Sequence, residues 1–307
     1  MSILNFKLAK NMENLREEER IQALDAKSFW LENDLCILYG PAGTGKSIFA
    51  VGLGVEVSKK RQEKVLYVDF ELTEREFMSR FSKDFLGEFF CRAEPTSEEM
   101  MTLDGTRMVE CIENIYVKNK IRFFIVDNIS IILDDPTNFD KAKRFVLMFK
   151  CLVDKYSDMS IMLVGHTPKR DKSVPVSSDT LAGSKALSNF CKSAFAIVPS
   201  VKGKNIVYVK QTKTRNGECL YNEDNVLEYK LVKKENNLIF NELGTSREAE
   251  HLFTEQNRIR KNNEQRDKLI SKLHKEGKST REISKLLKKN GIALSHTGVN
   301  IVINQNE

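Results

Sequence analysis

The chain has 307 residues, 41% hydrophobic and 30% charged, so it can bury a core in one large domain or a large and a small one and is not a disordered polymer. No apolar run approaches the roughly 18 residues needed to span a bilayer, and residues 1–20, which include Lys7, Lys10 and Arg16-Glu-Glu-Glu-Arg20, hold no block long enough for a signal peptide, so a cytoplasmic protein without a membrane partner is expected. The net charge of +6 is uneven: residues 245–307 carry 13 Lys and Arg against 8 Asp and Glu, and the preceding residues carry 36 against 35.

Residues 1–30 read as a helical segment. Residues 35–39 form a buried-strand pattern ending in Gly40, and similar patterns recur at 65–70, 121–126, 161–164, 194–198 and 206–209. Near-continuous apolar strands alternating with amphipathic stretches predict an α/β fold with a mostly parallel, twisted sheet covered on both faces. The last strand patterns, 227–232 and 237–240, flank a polar turn and read as an antiparallel hairpin at a sheet edge. No strand signal remains after Gly244, so an α/β domain over 31–244 and a basic helical domain over 245–307 are expected. The polar stretch 167–184, with two prolines, is a long loop of the kind that carries function. Six cysteines without a Cys-x-x-Cys pair argue against a zinc ribbon or a disulfide framework.

The segment Gly40-Pro-Ala-Gly-Thr-Gly-Lys-Ser47 fits Gly-x-x-x-x-Gly-Lys-Ser/Thr in full and lies between a strand and a helical run. Gly40, Pro41, Ala42, Gly43, Thr44, Gly45, Lys46 and Ser47 are therefore the expected phosphate cradle. Its backbone N–H groups and the positive end of the following helix would face the anion. Lys46 is expected to reach the β- and γ-phosphates of ATP, and Ser47 to hold Mg²⁺. Asp127, at the tip of a buried strand, is the candidate second magnesium ligand, acting through water. Asn128 follows it and cannot take a proton, so the base that activates water is sought elsewhere. Glu71, just past the strand at 65–70, is the candidate, because the carboxyl ends of parallel strands share one edge.

These residues resemble the RecA-like P-loop ATPases, in particular the branch of plasmid RepA-type helicases, RadA and DnaB-type replicative helicases. The resemblance covers about residues 20–240. It rests on the phosphate loop, on Tyr67-Val-Asp-Phe-Glu-Leu72, on Val126-Asp-Asn-Ile-Ser130, and on Leu163-Val-Gly-His166 with Lys210-Gln-Thr-Lys213-Thr-Arg215-Asn-Gly217. It implies that His166 senses the γ-phosphate. It also implies that Lys213 and Arg215 reach the nucleotide of a neighbouring subunit, in a homo-oligomeric ring or filament. Lys169, Arg170 and Lys172 of the long loop have two readings, contact with a DNA backbone or a solvated face.

The carboxyl-terminal region reads as three short helices. Ser279-Thr-Arg-Glu282 is a capping box, Gly277 and Asn290-Gly291 are stops, and Ser295 caps the third helix. The pattern resembles the helix-turn-helix of resolvases and response regulators. That resemblance would put His296, Thr297 and Asn300 at DNA base edges and Arg281, Lys285, Lys288 and Lys289 near phosphates. A helical bundle for protein contacts is the other reading. The leading expectation is an ATP-hydrolysing, DNA-binding motor or helicase-type protein serving a plasmid or other mobile element. A nucleotide-gated DNA-binding regulator and a small-molecule kinase are the alternatives.

Overall fold

The computed structural model describes residues 22–133, 138–167, 171–180, 184–215 and 218–306. The first half of the chain alternates strand and helix: β1 Leu35–Gly40, α1 Lys46–Arg61, β2 Val65–Asp69, α2 Glu74–Met78, α3 Lys83–Leu86, β3 Phe90–Ala93, α4 Ser97–Thr102, α5 Gly105–Asn119 and β4 Phe123–Asp127. Then come α6 Phe139–Lys155, β5 Ser160–His166, α7 Ser184–Phe190, β6 Ser193–Pro199, β7 Ile206–Thr214, β8 Val226–Lys234 and β9 Asn237–Ser246. The helices α8 Glu255–Lys275, α9 Thr280–Lys289 and α10 His296–Asn306 complete the chain.

Among the described residues the strands form one sheet in the order β3-β2-β4-β5-β1-β6-β7-β8-β9. Every pairing from β3 to β6 is parallel, and those of β6–β7, β7–β8 and β8–β9 are antiparallel. Strand alternation explains the unbroken apolar runs. Along β1, Leu35, Ile37 and Tyr39 enter a core shared with Phe145 and Phe149 of α6, while Cys36 and Leu38 enter a second core with Ala50 and Val51 of α1. The expectation of a mostly parallel sheet stands. The short β3 was not expected, because Phe90-Cys-Arg-Ala93 breaks its apolar run with an arginine.

Two boundaries differ from the sequence reading. Residues 22–34 form turns and an isolated bridge, Ala23 with Leu31, rather than the end of a helix. Asp25 organises them: its carboxylate accepts N–H bonds from Lys27, Phe29 and Trp30, and Trp30 is fully buried. Residues 1–21 of the expected helical segment lie outside the described residues. At the other end, the expected break after Gly244 falls inside β9, and the 3-10 turn Glu248–His251 remains packed on the sheet. Buried Glu248 accepts from Lys210 Nζ at 2.6 Å, Tyr208 OH at 3.0 Å and Val176 N at 2.7 Å. Buried His251 lies 2.7 Å from both Ser200 Oγ and Ser246 Oγ. The helical unit therefore begins at Glu255.

That unit has its own small core of Ile270, Ile283, Leu287, Val299, Val302 and Ile303. Its local signals act as expected. Ser279 and Glu282 form the capping box of α9, Ser295 Oγ accepts from Gly298 N, and Gly277 and Gly291 adopt positive φ at 82° and 77°. The first helix is not short: it runs 21 residues, from Glu255 to Lys275, under a cap from Thr254. Among the described residues no helix is long and apolar enough to cross a membrane.

Candidate active site

The phosphate loop leaves the carboxyl end of β1 at Gly40, where the backbone approaches β6 so closely that a Cβ would sit 2.2 Å from Ile197 O. Gly45, the residue before α1, has φ 85° and faces Phe240, whose ring a Cβ would meet at 2.8 Å. Both glycines are thus required by the backbone path. Thr44 Oγ1 donates to Pro41 O at 2.9 Å, closing the loop on itself. Lys46 is buried and donates to Pro41 O at 3.0 Å and to His166 Nδ1 at 2.9 Å. Burial pulls its ammonium below the usual lysine range, while Asp127 and Glu71 pull it back up.

Strands β2, β4 and β5 bring the acidic residues and His166 to the same edge. Asp69 and Asp127 are register partners, and Phe70 N donates to Asp127 O at 2.8 Å. Asp127 is 2% exposed, and its Oδ2 accepts from Tyr67 OH at 2.6 Å. Burial pushes its carboxyl up to about 6, against the downward pull of hydrogen bonds from Tyr67 and Ser47. Ser47 and Asp127 therefore converge as two oxygen donors, a set that suits a hard divalent cation completed by phosphate and water. Among the described residues no group of three His, Cys, Asp or Glu could hold a metal by itself.

Glu71 is presented by a turn that Asp69 builds. Asp69 Oδ1 accepts from Glu71 N and Leu72 N, both at 3.0 Å, and Asp69 Oδ2 accepts from Arg92 Nε at 3.0 Å. The Glu71 carboxylate accepts from Asn128 Nδ2 at 2.5 Å and lies 3.5 Å from His166 Nε2. Burial and the Lys46 cation hold the His166 imidazole below the usual histidine value. A neutral ring that accepts from Lys46 at Nδ1 carries its proton on Nε2, facing Glu71.

An AAA-domain family model matches residues 10–172, more than half of the chain. The chain belongs to the AAA-domain family. No curated protein sequence matches it. Among solved structures, the ATPase domain of G40P is similar to it with a TM-score of 0.52 and 13% identity, over 68% of this chain and 85% of that one. At that identity the likeness speaks for the fold, which is the expected RecA-like P-loop fold.

Within this AAA domain, Lys46, Ser47, Glu71, Asp127 and His166 come together. Lys213 and Arg215 do not join them. β7 runs antiparallel to β6, so both lie at the sheet edge opposite the phosphate loop. Lys213 Nζ donates to Ser188 O and Asn189 O, and Arg215 donates to Asn189 O at 2.8 Å. Lys169 and Arg170 lie outside the described residues, as does Gly217; Lys172 Nζ sits 5.3 Å from the Phe253 ring centre. Arg281, Lys285, Lys288, Lys289, His296, Thr297 and Asn300 are all exposed on α9 and α10. No role at this site for Asn128, Tyr67 or Arg92 was legible in the sequence. Asn128 had been set aside as unable to take a proton, yet its amide holds the residue expected to take one.

Proposed function

We propose that this AAA-domain protein is an ATP-hydrolysing, RecA-like motor of the helicase type that acts on DNA as a homo-oligomer, with the three carboxyl-terminal helices as its helix-turn-helix DNA contact. One observation carries the reading: Glu71 is held by Asn128 and His166 beside the buried Lys46 and Asp127, at the mouth of a complete phosphate loop. Lys46 and the loop N–H groups bind the phosphates and neutralise charge as it develops. Glu71 takes the proton of the attacking water. Asn128 and His166 orient its carboxylate. Ser47 and Asp127 would hold Mg²⁺, which supplies charge neutralisation on the phosphates when bound.

Lys213 and Arg215 lie too far from their own loop to act there, which supports their role at a neighbour's nucleotide. In that role Arg215 supplies a fixed, always-charged fork. Residues 255–307 carry 12 Lys and Arg against 6 Asp and Glu, which supports a nucleic-acid partner for the helices. We place the protein with replication, mobilisation or maintenance of a plasmid or other mobile element, on its resemblance to that helicase branch. The test is to size the full chain with and without ATP and DNA while measuring hydrolysis and strand displacement on a forked duplex. DNA-stimulated hydrolysis by an oligomer that displaces a strand is expected. Slow hydrolysis without displacement would make the protein a nucleotide-gated regulator instead.

A further inference from the structure

Glu71 is exposed, so burial does not hold it in place. Its backbone sits in the turn 70–72, between the end of β2 at Asp69 and Thr73, the cap of α2. Arg92, on the edge strand β3, fastens that turn from outside. β3 pairs with β2 in parallel with Arg92 opposite Tyr67, so the two side chains leave the same face of the sheet. Arg92 Nε donates to Asp69 Oδ2 at 3.0 Å, and Oδ1 of that carboxylate accepts from Glu71 N and Leu72 N. Arg92 Nη2 donates to Leu72 O and lies 2.8 Å from Glu94 Oε2. The guanidinium also covers the Phe77 ring of α2, 4.9 Å from its centre. Phe77 in turn packs on Tyr67, the donor to Asp127, with ring centres 5.9 Å apart. The Asp69 side chain is 1% exposed and that of Arg92 12%, so solvent screens the pair little.

We propose that Arg92 is the positioning residue of Glu71, fixing through Asp69 and Leu72 the backbone from which the carboxylate reaches its water. The inference rests on the reading of Glu71 as the base and extends the site to the edge strand. The contacts call for arginine. A planar guanidinium can donate to a carboxylate and a carbonyl from its edge while its face lies on an aromatic ring, whereas a lysine ammonium is a compact point charge without that fork. Loss of Arg92 releases Leu72 O and leaves Asp69 as a buried carboxylate without its cation. The turn between them is then free to shift, and a misplacement of about 1 Å at a reacting group costs about 10²-fold in rate. Phosphate binding is insulated from this change, because the loop leaves β1, which β4 and β5 separate from β2.

The test is a double-mutant cycle on the full chain, with phosphate release at saturating MgATP for the rate and calorimetry for MgATP affinity. Arg92→Ala is expected to lower kcat about 10²-fold and to leave the affinity unchanged. Added methylguanidine, which refills the vacated fork, should restore part of the rate. Arg92→Lys, which keeps a charge beside Asp69 without the fork, should fall between Arg92→Ala and the wild type. The decisive comparison is with Glu71→Gln. A residue that acts only through Glu71 has nothing left to position there, so the double variant Glu71→Gln/Arg92→Ala should turn over no more slowly than Glu71→Gln alone. Wild-type turnover in Arg92→Ala overturns the inference. So does a double variant slowed below Glu71→Gln by the full factor that Arg92→Ala shows alone, which would mark Arg92 as a structural residue. If Arg92→Ala does not fold by circular dichroism, Arg92→Lys with and without Glu71→Gln decides by the same comparison. Wild-type turnover in Glu71→Gln would instead remove the base itself, and it shows with Arg92 intact, so the two failures are distinct.

Discussion

Lys46 Nζ lies 2.9 Å from His166 Nδ1. The lysine donates, so the imidazole is neutral and directs its Nε2–H at Glu71 Oε1, 3.5 Å away. The phosphate-binding cation and the base that would act on water are thus joined through one ring. A γ-phosphate that draws Lys46 toward itself loosens the ring and, through it, the carboxylate.

Replacing Lys46 with Ala removes the cation from the loop and the anchor from His166. Hydrolysis should fall by at least about 100-fold, the scale of losing one preorganised charge contact to the reacting centre. Phosphate release at saturating ATP is the measurement, and wild-type turnover would take the loop out of the mechanism.

Glu71→Gln should bind ATP normally and hydrolyse it about 10²–10⁴-fold more slowly, because an amide cannot take the proton. A fully active variant would shift the base assignment to Asp69. Asn128→Asp gives a sharper test. It replaces a donor 2.5 Å from the Glu71 carboxylate with a second carboxylate, so one of the two must hold a proton. The acidic limb of the pH–rate profile should move to higher pH. A purely structural role for Asn128 would lower the rate without moving that limb.

The sheet and the phosphate loop were legible because their signals are local. Each depends on a run of residues with one period or one spacing, and β1 with Gly40–Ser47 satisfies both at once. The cluster around Glu71 was legible in part, since parallel strands bring their carboxyl ends to one edge. Asn128 was not, because its role lies in a contact with a residue 57 positions away, and no spacing rule reports that. The end of the α/β domain was missed for a similar reason. Glu248 and His251 look like surface residues of a charged tail, yet the buried Lys210 ammonium, the Tyr208 hydroxyl and the Val176 N–H hold Glu248, and the hydroxyls of Ser200 and Ser246 hold His251, on the sheet.

Asp127 predicts a pH dependence of cation binding. Its carboxyl is pushed up to about 6, so it gains a proton as the pH falls through that value. A protonated acid is a poor ligand, and magnesium-dependent ATP binding should weaken about tenfold per pH unit below about 6 and be flat above it. Stability runs the other way. In the unfolded chain the same carboxyl ionises near its ordinary 3.8, so the folded state binds the extra proton and loses stability as the pH rises from about 4 to about 6. Calorimetric titrations at several pH values check the first trend, and denaturant midpoints of the ligand-free protein check the second. Asp127→Asn should abolish both slopes.

Arg215→Ala should slow hydrolysis with little loss of ATP affinity, because the residue lies at the far edge from its own loop. Mixing it with Glu71→Gln should restore part of the activity. Interfaces pairing an intact Glu71 from one subunit with an intact Arg215 from the next then reappear. No recovery at any ratio, with subunit exchange verified, would exclude a shared site.

The last prediction concerns the helical unit, and the structure dictates where to cut. Ending the chain before Thr245 would remove Glu248 and leave Lys210 buried without its 2.6 Å partner. Breaking such a pair costs about 3–5 kcal/mol, enough to confuse unfolding with loss of DNA contact. Ending it before Glu255 keeps Glu248 and His251 in place and removes only α8–α10. That truncation should still hydrolyse ATP at saturating nucleotide but bind duplex DNA weakly. Phosphate contacts release counterions, so binding by the full chain should fall with salt at a log–log slope of about −0.9 per neutralised phosphate, and the truncated chain should give a shallower slope. Changing His296, Thr297 and Asn300 together to Ala should instead reduce discrimination between DNA sequences and leave the slope nearly as it was, because base edges carry no condensed counterions. Salt titrations of all three proteins on one duplex, against random competitor, separate these effects. If truncation changes neither affinity nor slope, the three helices are a protein-contact bundle, and the DNA contact belongs to the 167–184 loop or does not exist.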